Sequence, residues 1–227
     1  MTLPTLGVNV NIYVVVEGVS EYKVYPEWIK QANPALVKSS YIDEVVENNF
    51  YMIGGGGYPY IFNVIDNAIS DTNDNLQFDR LVIALDSEDF LLEERYLEIE
   101  SHVRSKAPRV EVKIIIQHFC FETWALGNVK IGPKNPTNSE LKAYKEIHNV
   151  IALDPEHLPE LTSENLNRAQ FAYKYLKLAV RDKGHHITYS KNKPDVVFHP
   201  KYFNALKDRL ADTGHIGSFS SFLIAFI

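Results

Sequence analysis

The chain is poor in the residues that define several protein classes. Among its 227 residues only one is cysteine, Cys120, which excludes an intramolecular disulfide framework and any multi-cysteine zinc site. A nucleophilic thiol would need an activating base. His118 stands two residues away, on the same side of a strand, but no third, orienting group accompanies the pair, so Cys120 is expected to be a small core residue between Phe119 and Phe121. No run reaches the ~18 apolar residues that a membrane helix requires. The tail Phe222 to Ile227 is apolar but too short to span, and is expected to pack as a last strand or helix end. Met1 to Gly7 has no basic cluster ahead of an apolar run, and the expected location is the cytoplasm. Positive charge is scarce as well: 23 Lys and Arg against 29 Asp and Glu leave a net charge of −6. That excludes a general nucleic-acid coating protein but not a nuclease, whose acids gather around a metal that reverses the local charge. There is no internal repeat and no low-complexity segment.

What is present is an ordinary globular mixture, 45% hydrophobic and 23% charged, long enough to bury a core without a staple. Val8 to Val16 is a nearly continuous β-branched and aromatic run, as in a strand buried on both faces of a parallel sheet. Glu17 and Gly18 end it. Ser20 can cap a helix running to about Gln31, before Asn33-Pro34. A second strand, Asn49 to Ile53, runs into Gly54-Gly55-Gly56-Gly57. A helix follows near Pro59, with apolar positions Ile61, Val64, Ile65, Ala68 and Ile69. The third strand, Arg80 to Leu85, stops at Asp86, a helix occupies about Phe90 to Lys106, and the fourth strand is Val110 to Gln117. Strands alternating with helices predict an α/β fold: a parallel four-stranded, Rossmann-like core with right-handed crossovers and helices on both faces. After about residue 125 the pattern becomes mainly helical, with helices expected at Ser139 to His148, Ser163 to Arg181 and Pro200 to Ala211. The expected division is residues 1–127 as core and 128–227 as a region for substrate or partner recognition.

In parallel sheets ligands sit outside the carboxyl ends of the strands. Glu17, the glycine run and Asp86 all fall there. Glu21 follows Glu17 by one helical turn; its plain alternative role is a helix-start carboxylate favoured by the macrodipole. In Asp86-Ser87-Glu88-Asp89, strand alternation would send Asp86 and Glu88 to one side, with Asp89 either joining them or capping the next helix. Clustered carboxylates repel without a cation, and Mg²⁺ (or Mn²⁺) suits such hard oxygen donors. The candidate catalytic residues are therefore Glu17, Glu21, Asp86 and Glu88, and the candidate metal ligands are Glu17, Asp86, Glu88 and Asp89. Gly18 leaves room for a phosphate or metal near the backbone. Gly55 and Gly56 could cradle phosphate through their amides or simply permit a tight turn. Glu122 either faces the site or pairs with a surface cation; Trp124 is expected in the core.

These residues carry a resemblance. Val14-Val-Val-Glu17-Gly18 followed by Ala84-Leu85-Asp86-Ser87-Glu88 resembles the Toprim domain of topoisomerases, primases and overcoming-lysogenization-defect (OLD-type) nucleases, and Glu17-Gly-x-x-Glu21 is nearer to the OLD-type nucleases. Phe119-Cys-Phe-Glu122-Thr-Trp124-Ala-Leu126 resembles a segment of small stand-alone Toprim-like proteins of the RloB type. The resemblance spans roughly residues 8–127. It implies a Toprim-like fold, Mg²⁺-dependent cleavage of DNA or RNA, and a setting in anti-phage defence. One departure is that Glu88 stands where the family's Asp-x-Asp pair has its second Asp. No Walker-type Gly-x-x-x-x-Gly-Lys-Ser/Thr motif is present, so an ATPase would have to be a partner chain or another defence-system protein; a homo-oligomer is also compatible. The alternatives are nucleotidyl transfer, or a non-catalytic module that binds a partner ATPase or a nucleoprotein. In the C-terminal region Lys174, Lys177 and Arg181 share one helix face at i, i+3 and i+7 and are the expected phosphate contacts. His185, His186, Lys183, Lys191 and Lys193 form either a second basic grip or a solvated loop.

Overall fold

The computed structural model describes residues 9–184 and 187–227; Met1 to Val8, His185 and His186 lie outside the described residues. Five parallel strands form one sheet in the order β2-β3-β1-β4-β5. β1 (Ile12–Val16) is central and wholly buried, as its unbroken β-branched run dictates. It pairs with β3 (Asn49–Gly54) on one side and β4 (Arg80–Asp86) on the other, so that Val16 lies level with both Gly54 and Ala84. β5 (Glu111–Gln117) completes that side and sets Gln117 opposite Asp86. The strand missing from the expected four is β2 (Val37–Lys38), paired with the start of β3. Two exposed residues at a sheet edge have no periodicity to betray them.

Alternate residues of the strands feed two separate apolar cores. Tyr13, Val15, Leu81, Ile83 and Leu85 pack under α2 (Ile61–Asp74) and α3 (Leu92–Ser105). Of the five expected helix positions, Ile61, Ile65, Ala68 and Ile69 are buried and Val64 is half-buried. Ile12, Val14, Val16, Val82 and Ala84 pack under α1 (Val19–Ala32) on the opposite face. That second core continues without a break into α4 (Phe121–Leu126), α6 (Arg168–Lys183), α7 (Pro200–Thr213) and α8 (Phe219–Ala225), joined by α5 (Ser139–Ile147). Trp28 is its hub: Phe121, Phe203 and Phe219 stand 5.1, 5.8 and 5.8 Å from it, centroid to centroid, and its indole N–H donates to the Val197 carbonyl at 2.9 Å. Apolar contact between aromatic rings of this size stabilises by more than area alone. The apolar tail is thus the helix α8, with Phe222 fully buried. Among the described residues no helix is long and apolar enough to cross a membrane.

Two helix starts differ from expectation. α1 begins at Val19, with Gly18 in the capping position, so Ser20 lies inside the first turn and is no cap. α6 begins at Arg168 and not at Ser163. Asn165 takes a left-handed conformation (φ 54°) that breaks the chain's path, and Asn167 with Gln170 forms a reciprocal capping box.

The topology decides where a ligand can sit. α1 leaves β1 toward one face of the sheet and α3 leaves β4 toward the other, so the crevice between these neighbouring strands opens at their carboxyl ends. Glu17 and Asp86 are its two lips.

Candidate functional site

Glu17 follows the last residue of β1 and is almost fully buried. Its Oε2 accepts from the backbone N–H of Asp86 at 3.1 Å and its Oε1 from that of Tyr58 at 2.9 Å. One carboxylate therefore ties together the ends of β1 and β4 and the loop after β3. Burial raises its pKa, against the hydrogen bonds and the Arg95 charge; the nearby Glu88 raises it further.

Glu21, buried in the first turn of α1, curls back over Gly18. A Cβ at position 18 would stand 2.4 Å from Glu21 Oε2. A side chain at position 18 would therefore push the Glu21 carboxylate out of this position. Gln117, at the end of β5, donates through Nε2 both to Glu21 Oε1 at 2.8 Å and to Asp86 Oδ1 at 2.7 Å. The Tyr25 hydroxyl fixes the Gln117 amide by donating to its Oε1 at 3.0 Å. Asp86 Oδ1 also accepts from the Phe121 N–H at 3.2 Å, which leaves Oδ2 without a hydrogen bond from the described residues. Burial first, and then the charges of Glu21, Glu17 and Glu122, push the Asp86 pKa well above the carboxylate range. Burial and Glu122 push Glu21 up to about 7.

Glu122, on α4, is buried and faces this group. Its Oε1 accepts from the Tyr189 hydroxyl at 2.8 Å. Lys191 is the cation closest in effect: burial lowers its pKa, but Glu122, Asp86, Cys120 and Glu21 together outweigh that and raise it. Four carboxyl groups crowd together here, and the raised pKa values of Glu17, Glu21 and Asp86 record the cost of ionising them side by side, a cost that a bound cation would offset.

The turn after β4 does not follow strand alternation. Ser87 is buried, with its hydroxyl 2.8 Å from His118 Nδ1, and Glu88 has a left-handed backbone (φ 49°) and is exposed. Glu88 reaches the site as part of the wall of a cleft of about 540 Å³ that also contains Asp86. Asp89 is exposed and accepts from Asn167 Nδ2 at 3.1 Å, clipping the turn to the start of α6. Gly55 and Gly56 adopt φ of 130° and 102°, where side chains are strained. The Gly55 N–H donates to the Val16 carbonyl at 3.2 Å, extending the sheet by one bond.

The opposite wall of the cleft is α6, through Gln170, Tyr173, Lys174 and Lys177, together with Lys191. Of the three basic residues expected on one face, Lys177 lines the cleft. Lys174 also borders it but is held between Glu140 and Glu164. Arg181 is exposed one turn beyond. Cys120 is buried, and burial with the Glu122 and Asp86 charges raises its thiol pKa well above normal, as suits a core residue. His118 is held neutral at pH 7, its pKa lowered to about 4 chiefly by burial. Trp124 is fully buried and donates to Ser218 Oγ at 2.7 Å.

Gln117, Tyr189 and Lys191 join the candidate residues Glu17, Glu21, Asp86, Glu88 and Glu122. Gln117 leaves a sequence signal, a polar residue ending an apolar strand; Lys191 stands out only as one of a basic group, with nothing to tie it to the acids; Tyr189 leaves none. Among the described residues no three His, Cys, Asp or Glu side chains stand ready as a cation cage; Glu17, Glu21 and Asp86 are instead hydrogen-bonded as described above. The donor set is nonetheless all carboxylate oxygen, the chemistry a hard divalent ion takes. No family model matches this chain, and neither does any curated protein or solved structure.

Proposed function

We propose that this protein is a Mg²⁺- or Mn²⁺-dependent nuclease. The observation that carries the reading is the convergence of Glu17, Glu21, Asp86 and Glu122 at the carboxyl ends of the strands, beside a lysine-lined cleft. Burying mutually repelling carboxylates is costly without a compensating charge, and a divalent ion supplies one. Asp86, Glu17 and Glu21, with Glu88 at the rim, are the residues that would hold it. When bound, such an ion polarises a phosphodiester and lowers the pKa of attacking water. The chain's own groups do the rest. Gln117 and the Tyr58 and Asp86 amides hold the carboxylates in place, and Lys177 and Lys191 attract the phosphate backbone. The Toprim resemblance of residues 8–127 supports the same reading.

A second reading, a non-catalytic module that binds a partner ATPase or nucleoprotein, draws on a different observation: both Glu17 oxygens are already hydrogen-bonded to backbone amides. Cleavage assays separate the two. Labelled DNA and RNA should be cut only with Mg²⁺ or Mn²⁺, and cutting should be lost in Glu17→Gln and Asp86→Asn at unchanged secondary structure. Cutting that persists in both variants, or none in the wild type with either metal, would defeat the nuclease reading.

A further inference from the structure

The rim of the acidic site carries aromatic rings that the carboxylate chemistry does not use. Tyr58 is 43% and Phe90 44% exposed. Both hang from loops tied to the acids: the Tyr58 N–H donates to Glu17 Oε1 at 2.9 Å, and the Phe90 N–H donates to the Ser87 carbonyl at 3.0 Å, within the turn that follows Asp86. Their ring centroids are 6.3 Å apart at 55°. The Arg95 guanidinium lies 4.2 Å from the Tyr58 centroid and 5.4 Å from that of Phe90. Arg95 is only 1% exposed and is paired with Glu98 at 2.6 Å, so it is out of a ligand's reach and serves as backing for the rings. What the rings leave to solvent is their outer surface.

Isolated exposed rings need no explanation. Two rings backed by one buried cation and tied through the backbone to a carboxylate cluster are a built feature. A flat π surface at this position matches a nucleobase, since every base has a face to stack. Lys177 and Lys191 line the cleft that holds Asp86 and Glu88. The two rings stand outside that cleft, beside the same Asp86 turn. A strand with its phosphates on the lysines could lay a base on the rings, whereas an apolar protein segment would have no use for the lysines. A base inside a duplex already has both faces stacked, whereas one in a single strand, loop or end is free. We propose that Tyr58 and Phe90 form a stacking platform that makes the site select single-stranded nucleic acid over duplex. This rests on the nuclease reading and specifies its substrate.

The test uses the full chain in Mn²⁺ with a short fluorescent oligonucleotide, offered alone or annealed to its complement, as DNA and as RNA. For whichever nucleic acid is cut, kcat/KM should favour the single strand by about tenfold or more, the factor that ~1.4 kcal/mol of stacking confers. Tyr58→Ala, which keeps the backbone N–H that Glu17 accepts, should lower the single-strand value by about 5- to 150-fold, the range set by ~1–3 kcal/mol per stacked base, and so lower the ratio of single-strand to duplex cutting. Tyr58→Phe should retain the preference. Phe90→Ala should reduce it as well, and serves as the test if Tyr58→Ala fails to fold by its thermal transition. Equal cutting of both forms, or a ratio that neither alanine variant changes, overturns the platform while leaving the nuclease reading standing; the latter result is also what a protein-docking patch would produce. No cutting of any form overturns both.

Discussion

Removing one charge from the acidic site should make the metal-free protein more stable, and Glu21→Gln is the cleanest way to do it. Glu21 is buried against Glu122, and its pKa rises from 4.5 to about 7. A raised carboxyl pKa means that the folded state resists ionisation. The cost is absent below about pH 4.5, grows as pH rises, and is complete above about pH 7. A rise of that size corresponds to roughly 3 kcal/mol. Because the carboxylates share their protons, removing one returns only part of that, about 1–3 kcal/mol. Glutamine can still accept the Gln117 amide bond that Glu21 Oε1 now takes at 2.8 Å, so little is sacrificed in exchange. For a chain of this length the thermal midpoint should rise by about 2–10 °C. The assay is thermal unfolding in EDTA at about pH 8.5 and about pH 5, on either side of the shifted titration, repeated in Mg²⁺. The variant should be ahead at the higher pH, level or nearly so at the lower, and should gain less from Mg²⁺ than the wild type. A variant that is less stable at the higher pH, or a gap of the same size at both, would refute the electrostatic explanation of the site.

Groups outside the acid cluster make their own demands. Glu156 accepts from Ser218 Oγ at 2.5 Å and from its N–H at 3.1 Å; burial, then the Asp154 charge, lifts its pKa to about 7. Its ionisation therefore also costs stability as pH rises from about 4.5 to 7, and Glu156→Gln should raise the urea midpoint at about pH 8 with little effect at about pH 5; equal effects at both would contradict the shift. The basic residues of the cleft should separate by role: Lys177→Glu and Lys191→Glu should weaken nucleic-acid binding and flatten its salt dependence by about one unit for each lysine–phosphate pair removed. Lys174→Gln should leave the salt slope nearly unchanged, because Glu140 and Glu164 already hold that ammonium; fluorescence anisotropy across a salt series gives both numbers.

The parts of this molecule that are legible in its sequence are those whose cause is local. The unbroken apolar runs of β1 and β4 announce buried parallel strands, and Glu17 and Asp86 mark their ends because a charge cannot continue such a run. The helical spacing of Ile61, Ile65, Ala68 and Ile69 announces α2. β2 is hidden because two residues carry no period, and the start of α6 is displaced by a left-handed Asn165 that no propensity signals. Alternation does not place Glu88, since the strand has ended and the turn sets its direction. The remainder of the site is assembled across long separations: Gln117 reaches Glu21 and Asp86, and Tyr189 reaches Glu122. Gly18 shows the two kinds of information meeting, because its smallness is visible in the sequence while the Glu21 carboxylate that returns over it is visible only in three dimensions.

The central claim is a divalent cation held between the ends of β1 and β4. Anomalous diffraction from crystals equilibrated with Mn²⁺ measures that directly. The expected result is a peak bound by Asp86 and by Glu17 or Glu21, with oxygen ligands at about 2.1–2.3 Å, which disappears in Asp86→Asn. Saturating Mn²⁺ that leaves this crevice without a peak, or a peak that survives in Asp86→Asn, would contradict it.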